Sequence, residues 1–295
     1  MADVRCDYDP SQQSSPGALQ ASPASKARAE TLSLADCLIN VCDQTNKLLH
    51  VHLATLTITE VEMDMERVFP VKSSWVLIPA QGLIIVCGGI QTGLPSNGVL
   101  GVQIQASLVM ALGGMLEGRW EAGITQIGEK LYIFGGLCPA LMASCEVFDI
   151  SANQWSSIGT MQNARAGFTP ALWKQSILLV GGMGTGNIEA YDLHQGQFHP
   201  LPLQLPYAGH YTTALVAGEE MVIVQRDKLV GLALRGGNRR VYEIGQLEKT
   251  GWWFCPTVPV VLNEDIFLLD WACDLKVWKY SPSTHSLEAV VSLTT

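Results

Sequence analysis

The chain has 295 residues, 48% hydrophobic and 15% charged, with a formal net charge of −9. The charged share is well below the roughly 25% of an ordinary globular protein, and the length suffices for one domain with a sizeable core. The acidic balance argues against a nucleic-acid partner, which would need a basic stripe, and no apolar run reaches the roughly 18 residues of a membrane-spanning helix.

Residues 1–24 are small and polar, with Ser-Pro at 15–16 and 22–23. Such a segment buries too little to order itself and reads as a disordered tail. It holds no apolar core of the kind that marks a secretory leader. From about residue 26 the pattern changes. Short apolar runs recur at 38–41, 83–87, 131–134, 177–180, 221–224 and 266–269. The dipeptides after them are Cys42-Asp43, Gly88-Gly89, Gly135-Gly136, Gly181-Gly182, Gln225-Arg226 and Asp270-Trp271, in steps of 46, 47, 46, 44 and 45 residues. Strand-like runs held in one register by turn residues predict an all-β repeat of about 45 residues.

The middle units carry more than the glycine pair. Phe148-Asp149 is followed by Trp155, and Tyr191-Asp192 by Phe198, each ring six residues after its Asp. Arg119 and Arg165 each stand sixteen residues before their glycine pair, and Met161 precedes the second Arg. This arrangement resembles the kelch repeat over roughly residues 27–295. The resemblance implies a six-bladed β-propeller over residues 25–295, with four antiparallel strands, a to d, in each blade. Strands are expected near 145–150, 155–159, 166–173 and 176–181. Blade 1 is expected to begin with a strand near 28–34 and blade 6 to end with one near 287–293, so that no strand crosses the seam.

Local chemistry assigns most marked residues to the scaffold. A glycine pair at a strand end supplies positive φ and close backbone approach. The run Gly182-Met183-Gly184-Thr185-Gly186 resembles a phosphate loop, but strand rather than helix follows it, so no nucleotide site is expected. The aromatic residues should fill the space between blades, Asp149 and Asp192 should cap turns, and the resemblance implies that Arg119 and Arg165 bond to backbone at the blade junctions. The charges in the expected a–b turns (Glu129, Glu219, Glu220, Glu264 and Asp265) read as solvated. Arg235, Arg239 and Arg240 form a basic spot on the same side. The eight cysteines are scattered and read as reduced, buried thiols, which with the missing leader points to a cytoplasmic address. His50 and His52 lack further ligands at metal spacing, and His194, His199 and His210 lack carboxylate or Cys partners. No nucleophile triad is evident. No metal, cofactor or catalytic residue is therefore expected.

The expected function is a non-catalytic scaffold or adaptor that holds a protein partner on its b–c and d–a loops. The longest b–c loops are 89–97 and 136–143. Candidate contact residues are Gln91, Asn97, Trp120, Glu121, Pro139, Asn163, Arg165, His210, Tyr211 and Trp252, because Trp, Tyr and Arg anchor interfaces. The resemblance implies protein partners, with a ubiquitin-ligase or cytoskeletal assembly as the expected setting. No BTB or F-box-like segment precedes the repeats. Two alternatives remain open at the level of sequence: a structural subunit of a larger complex, and a kelch-type enzyme such as a sugar mutarotase or a copper oxidase, using Glu121, Arg165, His210 and Tyr211.

Overall fold

A computed structural model describes residues 37–42, 44–65, 68–206, 211–225, 228–234, 241–246, 259–270 and 275–293. Within them the chain forms six antiparallel blade sheets in sequence order, five of four strands and the first of three, and two small two-stranded hairpins. Blade 1 shows strands b (Cys37–Val41), c (Lys47–His52) and d (Thr57–Glu62). Its expected strand near 28–34, and the expected tail at 1–24, lie outside the described residues. Strands a to d of blade 2 are Ser74–Ile78, Leu83–Cys87, Val99–Gln103 and Leu108–Leu112. Those of blade 3 are Gly123–Ile127, Lys130–Phe134, Ser144–Asp149 and Gln154–Thr160. Blade 4 has Ala171–Trp173, Ser176–Val180, Asn187–Asp192 and Gln197–Gln204; blade 5 has Thr212–Ala217, Glu220–Gln225, Lys228–Ala233 and Val241–Gln246. Blade 6 has Val260–Leu262, Asp265–Asp270, Leu275–Ser281 and Ser286–Leu293. The fold is a six-bladed propeller. No α-helix occurs among the described residues, and none of their helices could cross a membrane.

Burial explains the sequence pattern. Strand b lies between a and c and has blades on both faces, so it is a continuous apolar run such as Ser176–Val180, buried beyond its first residue. Outer strand d in blade 1, Thr57–Glu62, is half exposed and reads TITEVE. In blade 4 it tolerates Pro200 and Pro202 because no further strand pairs with its outer edge. Strand a of blade 4 is shorter than the expected 166–173. Pro170 has no N–H to give a ladder, and Ala166 and Phe168 instead bridge singly to Met183 and Thr212.

Six apolar clusters close the ring, one between each pair of neighbouring blades. Trp75 and Met63 lie in the cluster between blades 1 and 2. Ile85, Ile133, Phe148 and Trp155 lie between 2 and 3, and Phe134, Leu179 and Tyr191 between 3 and 4. Val180 and Ile223 meet between 4 and 5, Val224 and Leu268 between 5 and 6. Leu38, Leu49, Val51 and Leu53 of blade 1 meet Phe267, Leu269 and Val277 of blade 6. The expected aromatic pairs are cross-strand partners: the Phe148 and Trp155 rings stack at 5.0 Å and those of Tyr191 and Phe198 lie 4.8 Å apart. Asp149 accepts the Ala152 amide, and Asp192 those of His194 and Gln195, as turn caps. The a–b charges divide: Glu219 and Glu264 stand in exposed turns, whereas Glu220 and Asp265 open strands and accept hydrogen bonds from Tyr242 and Ser281. Cys87 and Cys145 are buried free thiols, and burial pushes Cys145 up to about 12, well away from a reactive thiolate.

Candidate functional site

The loops of one face are held by a repeated buried ion pair. Arg119 is 1% exposed and Arg165 0%. Arg119 Nη1 donates to the carbonyls of Gly135 (2.8 Å) and Ser144 (2.9 Å), and Nη2 to Glu146 Oε1 (2.5 Å). Arg165 repeats this one blade later, from Nη1 to the carbonyls of Leu179, Gly181 and Asn187 and from Nη2 to Glu189 Oε1 (2.5 Å). Each glutamate also accepts two amides of the d–a loop that brings in its arginine. Glu146 takes Leu116 and Glu117; Glu189 takes Gln162 and Asn163. Burial pulls the Arg165 guanidinium below its ordinary value, and Glu189 opposes that shift. Hydrogen bonds from the Nη atoms to carboxylate and carbonyls offset the burial of these charges, while the Nε of each arginine stays without a partner.

The glycine pairs face the same loops. Gly135 has φ +59°, and a Cβ there would lie 2.2 Å from the Arg165 carbonyl oxygen. Gly136 N donates to that oxygen at 2.9 Å, as Gly89 N donates to the Arg119 carbonyl at 2.9 Å. No side chain fits at such a contact, which is why the pair is glycine. In blade 4, Gly182 N donates instead to Thr212 Oγ1 at 3.1 Å, the arginine being replaced at this junction.

Inside this layer runs a belt that joins the blades where their strands a begin. Glu121 N donates to Lys72 O (3.0 Å), Gly167 N to Glu121 O (2.7 Å) and Thr212 N to Gly167 O (3.0 Å). Lys72, Glu121 and Gly167 all adopt positive φ, at 58°, 52° and 62°. Gly167 leaves room for the Tyr211 ring, which a Cβ would approach to 2.4 Å. Tyr211 Oη donates to Glu121 Oε1 at 2.6 Å, and Lys72 Nζ lies 2.7 Å from the same oxygen. A lysine, a carboxylate and a phenol from three d–a loops thus converge on one point.

The comparisons agree with this geometry. A model of the Kelch motif matches residues 121–162, which span blade 3 from strand a to strand d. The chain is a six-bladed β-propeller whose third blade carries a Kelch motif. A solved structure titled "Structure of YjhT" is similar at a TM-score of 0.60 and 11% identity, covering 79% of this chain and 86% of that one. At that identity the likeness concerns the fold alone. No curated protein matches the sequence.

The propeller separates the ten residues singled out from the sequence. Gln91, Asn97 and Pro139 are exposed on the b–c loops of blades 2 and 3. These loops form small hairpins, Ile90–Gln91 with Leu94–Pro95 and Leu137–Cys138 with Ala140–Leu141. Trp120 is half-buried and bridges its backbone to Leu137, which pins the second hairpin. Glu121 and Tyr211, ninety residues apart, meet in the belt. Arg165 and Asn163 belong to the buried ion pair. A fully enclosed guanidinium has no surface to offer a partner, so Arg165 departs from its expected contact role, and Asn163 spends its amide on Glu189. His210 and Trp252, and Arg235, Arg239 and Arg240 of the basic spot, lie outside the described residues. Among those described, no group of three His, Cys, Asp or Glu is placed to hold a metal.

Sequence reasoning missed three features. Glu146 and Glu189 each stand three residues before the Asp of Phe-Asp or Tyr-Asp, a regularity that marks the ion pair. Leu94 and Leu141 each follow the second glycine of their pair by five residues, and are 67% and 37% exposed. Lys72 stands sixteen residues before Gly88, the offset at which Arg119 and Arg165 precede their own pairs, and was passed over because it is a lysine.

Proposed function

We propose that this propeller is a non-catalytic interaction module, a scaffold or adaptor that seats a protein partner on the b–c and d–a loops of blades 2 to 4. One observation carries the reading. Large apolar side chains stand exposed on this face, Leu94 at 67%, Leu116 at 58% and Leu141 at 37%, on loops that the ion pairs and bridges hold rigid. The b–c segments 88–98, 135–143 and 181–186 contain no charged residue at all. Exposed apolar surface on a preorganised scaffold is how a binding face differs from ordinary surface. The fixed-subunit reading would use the same apolar loops, and the kelch-type enzyme reading has only the Lys72–Glu121–Tyr211 cluster; the interaction module uses both. In affinity purification of the full chain from its native source, Leu94→Asp with Leu141→Asp should abolish capture of a stoichiometric partner while thermal melting is retained. Undiminished capture, or loss only when Arg239 and Arg240 are replaced, would refute this placement.

A further inference from the structure

Three buried glutamates line this face, and one is incomplete. Glu146 and Glu189 use both carboxylate oxygens. Glu121 receives Tyr211 and Lys72 on Oε1, while Oε2 is enclosed and has no hydrogen-bond partner. The side chain is 8% exposed, and its backbone is tied on both sides by the belt. A buried acceptor left unserved is costly, more so when charged. The Lys72 ammonium sits on the other oxygen, Oε1, and its side chain is 36% exposed on a four-carbon stem.

We propose that Glu121 is the receptor for one cationic side chain, arginine or lysine, presented by the protein partner. With Lys72 turned outward, the incoming guanidinium or ammonium donates to Oε2, and the partner's flanking apolar residues cover Leu94, Leu116 and Leu141. The proposal rests on the interaction-module reading and adds the chemistry of the partner. Charge complementarity selects the occupant: the surrounding b–c loops are uncharged, so the carboxylate sets the sign of what they accept. An acidic or purely apolar residue at this point would leave Oε2 unpaired in a drier setting and be rejected.

The probe is a library of short random peptides displayed on phage and selected on the immobilised full chain. Enriched peptides should share one basic position flanked by apolar residues. Replacing that residue by citrulline or norleucine, or using Glu121→Gln, should weaken the synthesised peptide roughly ten- to hundredfold, the scale of a lost charged hydrogen bond. Lys72→Met removes the competing ammonium from Oε1 and should tighten binding. A selection without a basic position, wild-type affinity in Glu121→Gln, or unchanged or weaker binding in Lys72→Met overturns the proposal and leaves Oε2 to an enclosed water. Loss in Leu94→Asp with Leu141→Asp but not in Glu121→Gln removes the receptor and keeps the interaction module. The reverse pattern keeps the receptor and removes the apolar face.

Discussion

The junction between blades 3 and 4 and the seam between blades 6 and 1 do the same mechanical job with different chemistry. At the junction, the Arg165 backbone is held by the blade 3 loop through Gly136 and Met142. Its side chain enters blade 4 to meet three carbonyls and Glu189. Behind this lies the cluster of Phe134, Leu179 and Tyr191. At the seam the described contact is an apolar cluster, Leu38, Leu49, Val51 and Leu53 against Phe267, Leu269 and Val277. In the sequence, Cys42-Asp43 and Asp270-Trp271 take the positions that glycine pairs hold in blades 2 to 4. Apolar packing between blades is therefore the common means of closing the ring. The ion pair is an addition, and what it organises is the b–c and d–a loops of one face.

The comparison can be broken most decisively at the ion pair. Arg165→Ala would strand the Glu189 carboxylate, 1% exposed, without its cation. Denaturant unfolding should show a loss of about 3–5 kcal/mol, and the double variant Arg165→Met with Glu189→Met should recover most of it. A single-variant loss below about 1 kcal/mol would mean that the pair merely fills space.

A smaller effect is expected at the seam. Leu269→Ala removes buried volume from the closing cluster and should cost about 2–4 kcal/mol. Amide exchange in the strands should be fastest at 38–58 and 267–287 and slowest in blades 3 and 4, and this variant should widen the difference, because repeat proteins fray at their poorest interface. Deleting residues 1–24 should leave the melting temperature unchanged. Uniform exchange around the ring would erase the distinction between seam and junction.

The smallest effect sharpens it by pH. His50 in blade 1 is 6% exposed, and its Nε2 has no partner. Burial, with the neighbouring His52 adding, pulls its imidazole below the ordinary 6.5. A folded value below the unfolded one means that His50 is held neutral. Its contribution to stability is therefore complete above about 6.5 and is lost as pH falls through that value. Melting should drop modestly between about pH 7.5 and 5.5, and His50→Phe should flatten the drop. An identical slope in the variant would assign the pH dependence elsewhere.

Much of the frame was legible because it is periodic. The strand b runs must be apolar on both faces, the glycine pairs must be glycine, and Phe148 with Trp155 must face each other across a c–d pair. Each demand leaves a residue type at a set position. The weaker features were hidden for physical reasons too. Pro170 shortens a strand that the apolar pattern would extend. Arg165 has the side chain of an interface anchor, yet its guanidinium is spent on carbonyls of the next blade.

The number of blades, their order and the residues between them follow from the sequence alone, since an apolar repeat near 45 residues can bury itself only by stacking equivalent sheets. The candidate site is different. Lys72, Glu121 and Tyr211 belong to three different repeats and share no motif. Their meeting depends on three loops entering their strands with positive φ, on a missing Cβ at Gly167, and on a ring that brings the starts of strands a together. Only the closed tertiary structure sets those conditions at once, and only there does one oxygen of Glu121 come to lack a donor.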